Sequence, residues 1–447
     1  MSTLKEVLIR RRKALEAQWG LDTEIVLVPS GTPAPMTGTD QFYEFRVHPE
    51  HRYLCGCDTP GQALAFCPDE GWTLFCHVPS ANERIWEGTP PDLEAVRDAA
   101  GVQKIAARSD LDAWLEKRQG RAIGLLGSRD LKVADDEALT ARLAESVTRA
   151  RLVKDVYEQG RMRAAAAATR EGHLAAFRGA RAGMTELELR MEIETAFVRA
   201  GGDRAAFSTI VASGRNSSVL HWMPTRRELR SGEIVLVDAG AEVDGYAGDV
   251  TRVLPVSGTF TQEQRDLYEV VLAANEKAIA TAGPGVEYID VHMAAAGEIA
   301  RGLVDFGLLR GDARALVERD AHALFFPHGI GHLLGLATHD VGGKILGRKP
   351  SKRFGLDKLR TDLPLQPGYV VTIEPGLYFI KAILTNARWR EKFSEEIDWA
   401  RADRLRDFGG IRIEDNVLVT DEGREVLTAG VPKSVEEVEG LRREADS

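Results

Sequence analysis

Cysteine is scarce in this chain of 447 residues, and none occurs after the first quarter. The four thiols are close together in sequence, and a zinc site that includes His77 is one interpretation, although the spacing fits no standard zinc pattern. Two of them end apolar runs, which favours buried free thiols in a reducing compartment. A metal site elsewhere in the chain must therefore use oxygen and imidazole ligands. The cysteines are Cys55, Cys57, Cys67 and Cys76.

The sequence also lacks a long apolar run and a basic block. No apolar run approaches the roughly 20 residues of a membrane span. The net charge of −10 argues against nucleic acid or an anionic membrane as a partner. The first six residues, MSTLKE, begin an amphipathic helix pattern and lack the apolar core of a signal peptide. These absences predict a cytoplasmic protein that binds neither nucleic acid nor membranes.

Internal repeats and low-complexity tracts are absent too, but the pattern of the sequence changes near residue 150. Residues 1–150 alternate short apolar strands with helical stretches, which is typical of an α/β domain. Residues 135–182 contain no proline and are rich in Ala, Arg, Glu and Leu, so they predict one or two long helices. From residue 206 onward, strands broken by Gly and Asp lead into two helices and a second β-rich region.

Two carboxylates flank a strong turn signal. The pair Asp244-Gly245 is typical of a two-residue hairpin, and the hairpin places Asp238 opposite Thr251. Because side chains alternate along a strand, Asp238 and Asp249 then lie diagonally on one face, with Cβ atoms about 7–8 Å apart or less. A solvated face is the other interpretation. The run Ile-Val-Leu-Val before Asp238 favours a buried strand, where paired carboxylates repel unless a cation lies between them.

One apolar, glycine-rich segment of 12 residues contains three histidines: His328, His332 and His339. One such histidine is usually a hydrogen-bonded core residue, but three together indicate a site. Further along, Glu374 ends an apolar strand before a Pro-Gly turn, and alternation places Glu414 on the same strand face as Arg412.

Two Asp, one His and two Glu make an oxygen-rich ligand set. Bridging carboxylates can hold two divalent ions about 3.5–4 Å apart and activate a water between them. This set suits Mn²⁺, with Co²⁺ or Zn²⁺ as alternatives.

These motifs together resemble the pita-bread metallopeptidases, a family that includes methionine aminopeptidase, aminopeptidase P and prolidase. The match covers roughly residues 150–435. All five positions that match the family's metal ligands carry a ligand residue, namely Asp238, Asp249, His332, Glu374 and Glu414.

The first third is similar to the smaller creatinase-type domain of aminopeptidase P and prolidase, on pieces such as the stretch HRYLCG at residues 51–56. The resemblance implies an α/β creatinase-like N-terminal domain at residues 1–150. It also implies an α+β pita-bread catalytic domain at residues 151–447. A homodimer is a further expectation.

The resemblance also implies roles for the ligands. Asp238 and Glu414 match the carboxylates that bridge the two ions, and Asp249 matches a chelator of one ion. His332 and Glu374 complete the other side.

For the reaction itself, Glu374 matches the proton shuttle for the attacking water. His339 matches a donor to the substrate carbonyl, and His221 matches a histidine near the substrate. His328 and Arg412 are expected in the substrate pocket, where Arg412 also orients a carboxylate.

The loop GLDKLRTDL at residues 355–363 resembles prolidase, in which an arginine at the place of Arg360 meets the substrate's C-terminal carboxylate. A guanidinium can bind a carboxylate through two hydrogen bonds and so limit the substrate to two residues, although a solvated arginine is the other interpretation. The long insert at residues 381–408 is also seen in prolidases, whereas Trp222-Met223 departs from the commoner segment after His221.

We therefore expect an Xaa-Pro dipeptidase that uses a hydroxide held between two metal ions. The alternative is an Xaa-Pro aminopeptidase that acts on longer peptides. An inactive pita-bread binding protein and a metal-free creatinase-like hydrolase are disfavoured, because both types of relative lack the ligand set.

Overall fold

The structure, a computed structural model, describes residues 3–445 of the chain. Residues up to Arg151 form one compact unit, and residues from Leu152 form a second. The predicted N-terminal helix is confirmed, although its first two predicted residues, Met1 and Ser2, lie outside the described residues. In the part of the chain that the structure describes, every helix is too short or too polar to cross a membrane.

The first unit is an α/β domain, as predicted, with helices on both faces of a mixed sheet. Its elements are α1 (Leu4–Trp19), β1 (Ile25–Pro29), α2 (Pro49–Cys55), β2 (Ala63–Cys67), β3 (Gly71–Cys76), α3 (Ala81–Glu87), α4 (Leu93–Ala100), β4 (Lys104–Ala107), α5 (Leu111–Glu116), β5 (Ile123–Leu125) and α6 (Glu137–Leu152). The strand order is β4-β3-β2-β1-β5. Trp19 packs against Trp72 on one face of the sheet, and Trp114 packs against Phe75 on the other.

The thiols of the first unit are free, as predicted. Cys55, Cys67 and Cys76 are buried and Cys57 is half-buried. Among residues 3–445, no thiol belongs to a cluster with metal-ligand spacing. His77 instead contacts a glutamate of α3, so the zinc interpretation is wrong for the described residues.

The second unit is an α+β domain of helices on small antiparallel sheets. Its first half contains α7 (Val156–Gly179), α8 (Glu186–Arg199), β6 (Arg204–Ala205), β7 (Ile210–Ser213), β8 (Ile234–Ala239), β9 (Ala241–Val243), β10 (Tyr246–Ala247), β11 (Val250–Pro255), α9 (Gln262–Thr281) and α10 (Tyr288–Asp305). Its second half contains α11 (Ala313–Glu318), β12 (Val370–Ile373), β13 (Gly376–Tyr378), α12 (Lys381–Leu384), α13 (Ala387–Lys392), α14 (Trp399–Arg404), β14 (Gly410–Arg412), β15 (Asp415–Thr420), β16 (Gly423–Val426) and α15 (Val435–Ala445).

The sheets of the second unit have the strand orders β10-β9-β6, β11-β8-β7, β12-β15-β16 and β13-β14. Helix α7 packs on α8, and α9 packs on α10. The predicted helical stretch at residues 135–182 is two helices, because the chain leaves helical geometry after Leu152 and starts again at a capping box between Asp155 and Glu158. The predicted insert at residues 381–408 carries the short helices α12, α13 and α14.

The predicted hairpin is confirmed in its register, with Thr251 opposite Asp238. Asp244 and Gly245 have φ angles of 50° and 79°, as the turn of such a hairpin requires. The ladder is not continuous, however, because β8 and β11 belong to one sheet and β9 and β10 to another. The two halves separate at Gly240, where the backbones approach so closely that a Cβ atom would lie 1.8 Å from the carbonyl oxygen of Gly248.

This close approach predicts that Gly240→Ala destabilises the protein. The added methyl group must displace a backbone carbonyl, and overpacking of this kind costs about 1–3 kcal/mol. Urea unfolding checks the result. Gly297→Ala, inside α10 with open space around the added Cβ, is the matched control and should instead stabilise by about 0.5–1 kcal/mol. Equal effects from both changes would contradict the explanation.

Candidate metal centre and active site

A cleft of about 710 Å³ in the second unit is lined by residues that are far apart in sequence. Its volume is in the usual range for ligand pockets. The cleft brings together every site residue predicted from the sequence. These are His221, Asp238, Asp249, His328, His332, His339, Arg360, Glu374, Arg412 and Glu414.

The two aspartates of the hairpin converge at the floor of this cleft, as their diagonal register predicts. Asp238 Oδ2 accepts a hydrogen bond of 2.5 Å from Arg412 Nη2. Within the described residues, the buried Asp238 Oδ1 receives no hydrogen bond. Asp249 lies just before β11, and its backbone N–H donates to Asn416 Oδ1 at 3.0 Å. The floor of the cleft therefore contains a buried carboxylate oxygen that is open to a cation.

His332 reaches the aspartates because its segment runs antiparallel to β12. Its backbone N–H donates to Thr372 Oγ1 at 3.1 Å, and its carbonyl accepts from Thr372 N at 2.9 Å. His332 Nδ1 donates to the carbonyl of Leu333 at 3.0 Å, because a carbonyl can only accept. The other ring nitrogen, Nε2, points at Asp249 Oδ2 at 3.4 Å and Glu374 Oε1 at 3.9 Å. This is the orientation that a metal-binding histidine needs.

Glu414 is oriented by a chain of hydrogen bonds that begins at Arg412. Arg412 Nε donates to Thr251 Oγ1 at 2.9 Å, and that hydroxyl donates to Glu414 Oε2 at 2.7 Å. Arg412 is buried, and each of its three nitrogens donates to a protein oxygen, the third partner being Tyr378 at 2.9 Å. The geometry therefore favours the carboxylate-orienting role of Arg412 over direct contact with substrate.

The donor set fits divalent metal ions. Ligand atoms of Asp249, His332 and Glu414 all lie within 4.8 Å of one another. Burial and the neighbouring Asp238 raise the pKa of Asp249 to about 6. Burial and the adjacent carboxylates raise the pKa of Glu414 well above its usual value, and burial also raises the pKa of Glu374. Carboxylates crowded in this way repel one another unless cations neutralise them.

Two further histidines line the cleft in neutral form. His328 Nδ1 donates to the carbonyl of Gly329 at 2.8 Å, and its Nε2 accepts from the hydroxyl of Tyr378 at 3.0 Å. Burial, assisted by the nearby Arg412, lowers the pKa of His328 to about 3. His339 lies at the exposed edge of the cleft, and desolvation by its surroundings together with His332 lowers its pKa to about 4. Neutral imidazoles can donate hydrogen bonds to a substrate without adding positive charge.

His221 and Arg360 lie on the rim of the cleft, and both are exposed. Arg360 is close enough to Glu374 and His339 to favour the charged carboxylate and the neutral imidazole. Its exposure does not match an enclosed site for the carboxylate of a dipeptide.

The sequence motifs did not predict some residues of the site. Thr251 could have been predicted, because it shares a strand face with Asp249. Tyr378 and Asn416 carried no comparable signal, since their contacts depend on how separate strands meet.

Lys154 was missed as well. Its Nζ donates to Asp340 Oδ2 at 3.1 Å, and the two side chains are 1% and 2% exposed. The backbone N–H of Asp340 donates to the carbonyl of Leu333 at 2.9 Å. This ion pair therefore holds the turn that carries the adjacent His339.

Buried carboxylates and a histidine that converge in a cleft define a metal-dependent hydrolase. The chain belongs to metallopeptidase family M24, whose model matches residues 160–421. Residues 8–123 match the family described as the N-terminal domain of aminopeptidase P. The predicted fold, a creatinase-like N-terminal domain followed by a pita-bread catalytic domain, is confirmed.

Relatives resemble the chain along nearly its whole length. A probable Xaa-Pro aminopeptidase of Fusarium vanettenii is 34% identical over 91% of this chain and 88% of the relative. Escherichia coli aminopeptidase P, solved with the inhibitor Pro-Leu, is 30% identical with a TM-score of 0.83, over 100% of this chain and 99% of that one. Pseudomonas aeruginosa aminopeptidase PepP is 31% identical with a TM-score of 0.80, over 99% and 98% of the two chains. These names favour the aminopeptidase alternative over the dipeptidase prediction.

The buried pair between Lys154 and Asp340 predicts that Lys154→Met strongly destabilises the second unit. Removing one partner of a buried ion pair typically costs about 3–5 kcal/mol, because the remaining charge loses an opposite charge that it was buried with. Chemical denaturation measures the loss. In the control, Lys154→Met combined with Asp340→Leu removes both charges and should recover part of the stability. A single variant as stable as the wild type would contradict this explanation.

Proposed function

We propose that the chain is an Xaa-Pro aminopeptidase, which removes the first residue of a peptide whose second residue is proline. The convergence of five ligand residues in one buried cleft carries the proposal of metal-dependent peptide hydrolysis. The names of relatives that match the chain along most or all of its length support the aminopeptidase specificity. An exposed Arg360 on the rim is compatible with substrate residues that continue past the proline.

Asp238, Asp249, His332, Glu374 and Glu414 are the proposed ligands of two divalent ions. Mn²⁺ suits this oxygen-rich set, with Co²⁺ or Zn²⁺ as alternatives; one solved relative is described as Zn-substituted E. coli aminopeptidase P in complex with product. When bound, such ions supply Lewis-acid activation of water and of the scissile carbonyl.

The side chains around this centre have distinct proposed roles. Glu374 is half-buried, with its side chain 19% exposed, and desolvation raises its pKa, so it can accept the proton of the attacking water and deliver it to the proline nitrogen as the peptide bond breaks. His339 is neutral and can donate an N–H to the carbonyl oxygen as negative charge develops there. His221 contacts the substrate from the rim. His328 shapes the pocket through its bond to Tyr378.

The predicted homodimer and cytoplasmic location stay predictions. The proposed substrates are proline-containing peptides, with dipeptides as the less favoured class.

The ligand set predicts about two divalent ions per chain. Elemental analysis of the reconstituted protein measures them, and chelation should abolish peptide hydrolysis until Mn²⁺ is returned. Asp249→Asn should lower the metal content because it weakens one ligand. Asp421→Asn, an exposed aspartate in the turn between β15 and β16, is the control and should leave the content unchanged. A wild-type protein without bound metal that still cleaves peptides would rule out this mechanism.

A substrate-length series tests the specificity. Wild type should cleave Xaa-Pro-Yaa peptides with a higher kcat/KM than Xaa-Pro dipeptides. Arg360→Ala should change either value by less than about fivefold, the scale of one exposed charge. Lys358→Ala, an exposed neighbour on the same rim, is the matched control.

The opposite pattern would restore the dipeptidase prediction. In that case wild type prefers dipeptides, and Arg360→Ala lowers their hydrolysis by about 10- to 150-fold, because a charge-assisted contact is lost. Dipeptide amides would then be much less affected, since they have no terminal charge to lose.

A further inference from the structure

Glu186, the first residue of α8, is a fully buried carboxylate outside the metal centre. Its Oε1 accepts from Ser213 N at 2.9 Å, Ser213 Oγ at 2.7 Å and Asn216 Nδ2 at 2.9 Å. Its Oε2 accepts from Trp222 Nε1 at 3.0 Å, Thr225 N at 3.0 Å and Thr225 Oγ1 at 2.9 Å. A carboxylate offers about four lone-pair sites, so one loop fills its hydrogen-bonding capacity.

The two oxygens hold opposite ends of the loop at residues 213–225. Oε1 binds its beginning and Oε2 binds its end, so the residues between them form an arc with both ends fixed to one side chain. Burial opposes ionisation of Glu186, but donors led by Asn216 and Ser213 lower its pKa overall. The N-terminus of α8 also favours a negative charge at this position, and hydrogen bonds to an ionised carboxylate are about twice as strong as neutral ones.

The arc lies against the substrate cleft. Leu220, His221, Trp222 and Met223 all line it. On its other side, Ser217 Oγ accepts from the backbone N–H of Gly410 at 2.8 Å, at the start of the strand that carries the carboxylate-orienting arginine. The loop is thus fixed between α8 and β14, with its histidine and apolar side chains at the cleft.

We propose that Glu186 is a positioning residue for the substrate peptide, which it serves by holding the loop at residues 213–225 so that His221 and Trp222 face the cleft. The inference rests on the proposed function, because it assigns the loop to a bound peptide. Glu186 contacts no reacting atom and acts only through the loop.

Glu186→Gln tests this role, because it keeps the size of the side chain but turns one acceptor oxygen into a donor that faces other donors. The kcat/KM for an Xaa-Pro-Yaa peptide should fall by about 10- to 100-fold, the scale produced by small misplacements of catalytic and binding groups. Metal content should be unchanged. Amide hydrogen exchange should become faster in peptides that cover residues 214–225 and stay unchanged around His332.

Glu188→Gln is the matched control. Glu188 lies in the same first turn of α8 and is exposed, and its side chain caps the helix through Thr185. It should affect neither hydrolysis nor exchange in the loop.

A double-mutant cycle shows whether Glu186 acts through the loop. In a His221→Ala background, Glu186→Gln should cost much less than it does alone, because coupled residues are not additive. If Glu186→Gln does not fold, Trp222→Phe and Thr225→Val each remove one side-chain donor and leave the carboxylate ionised. Both should lower kcat/KM and speed exchange in the loop.

Three results would contradict either the positioning role or the proposed function. A Glu186→Gln variant with wild-type activity and wild-type exchange overturns the positioning role. An equal loss with and without His221 overturns it too. A wild type that cleaves no Xaa-Pro peptide overturns the proposed function instead.

Discussion

Burial of several carboxylates beside one another is the constraint on which the rest of the second unit depends. Asp238, Asp249, Glu374 and Glu414 share one cleft in which each raises the cost of ionising another. Isolated charges in such an environment are expensive. The surrounding structure therefore supplies donors to some oxygens, and the proposed metal ions neutralise the rest. Arg412 is a buried protein cation in this arrangement, and it reaches an aspartate directly and a glutamate through a threonine hydroxyl.

A second arginine joins two sheets that carry residues of the site. Arg252 is fully buried and donates to the carbonyl of Glu414 at 2.6 Å and to Asp415 Oδ1 at 2.8 Å. It lies on β11, whereas its partners lie at the start of β15, so the ion pair joins strands from different sheets. A buried pair of this kind is weak support for stability as such, but breaking it is costly. The two sheets are thereby held in the relative position that brings Asp249 and Glu414 together.

Buried charges also hold the loops around the cleft. Lys154 and Asp340 fix the turn that carries His339, and Glu186 fixes the loop that carries His221. Loops that contact ligands usually have few apolar contacts of their own and are mobile for that reason. Anchoring by one buried ion gives such a loop a defined position without requiring a large apolar core beneath it.

Local sequence determined the register of the hairpin, several helices and many residues of the site. Side-chain alternation and the Asp244-Gly245 turn gave the register of the hairpin, because a two-residue turn allows few pairings. The two helices expected after residue 206 are present as α9 and α10, and the motifs with the family resemblance that they carry gave ten of the residues that line the cleft. The separation of the hairpin into two sheets at Gly240 could not be predicted, because it depends on a close backbone contact that forms only in the folded chain.

Contacts between distant segments were decided by the tertiary structure alone. The partners of Lys154 and Glu186 lie 186 and 27–39 residues away, and no periodic pattern links them. The sequence around Arg360 favoured a dipeptidase, yet the role of an arginine depends on whether the folded chain encloses it, and this one is exposed. Residue type and spacing thus determined the ligands and the local elements, since these depend on backbone geometry. Burial and long-range pairing decided which charged side chains are enclosed and which groups they contact, because both arise only when separate elements pack together.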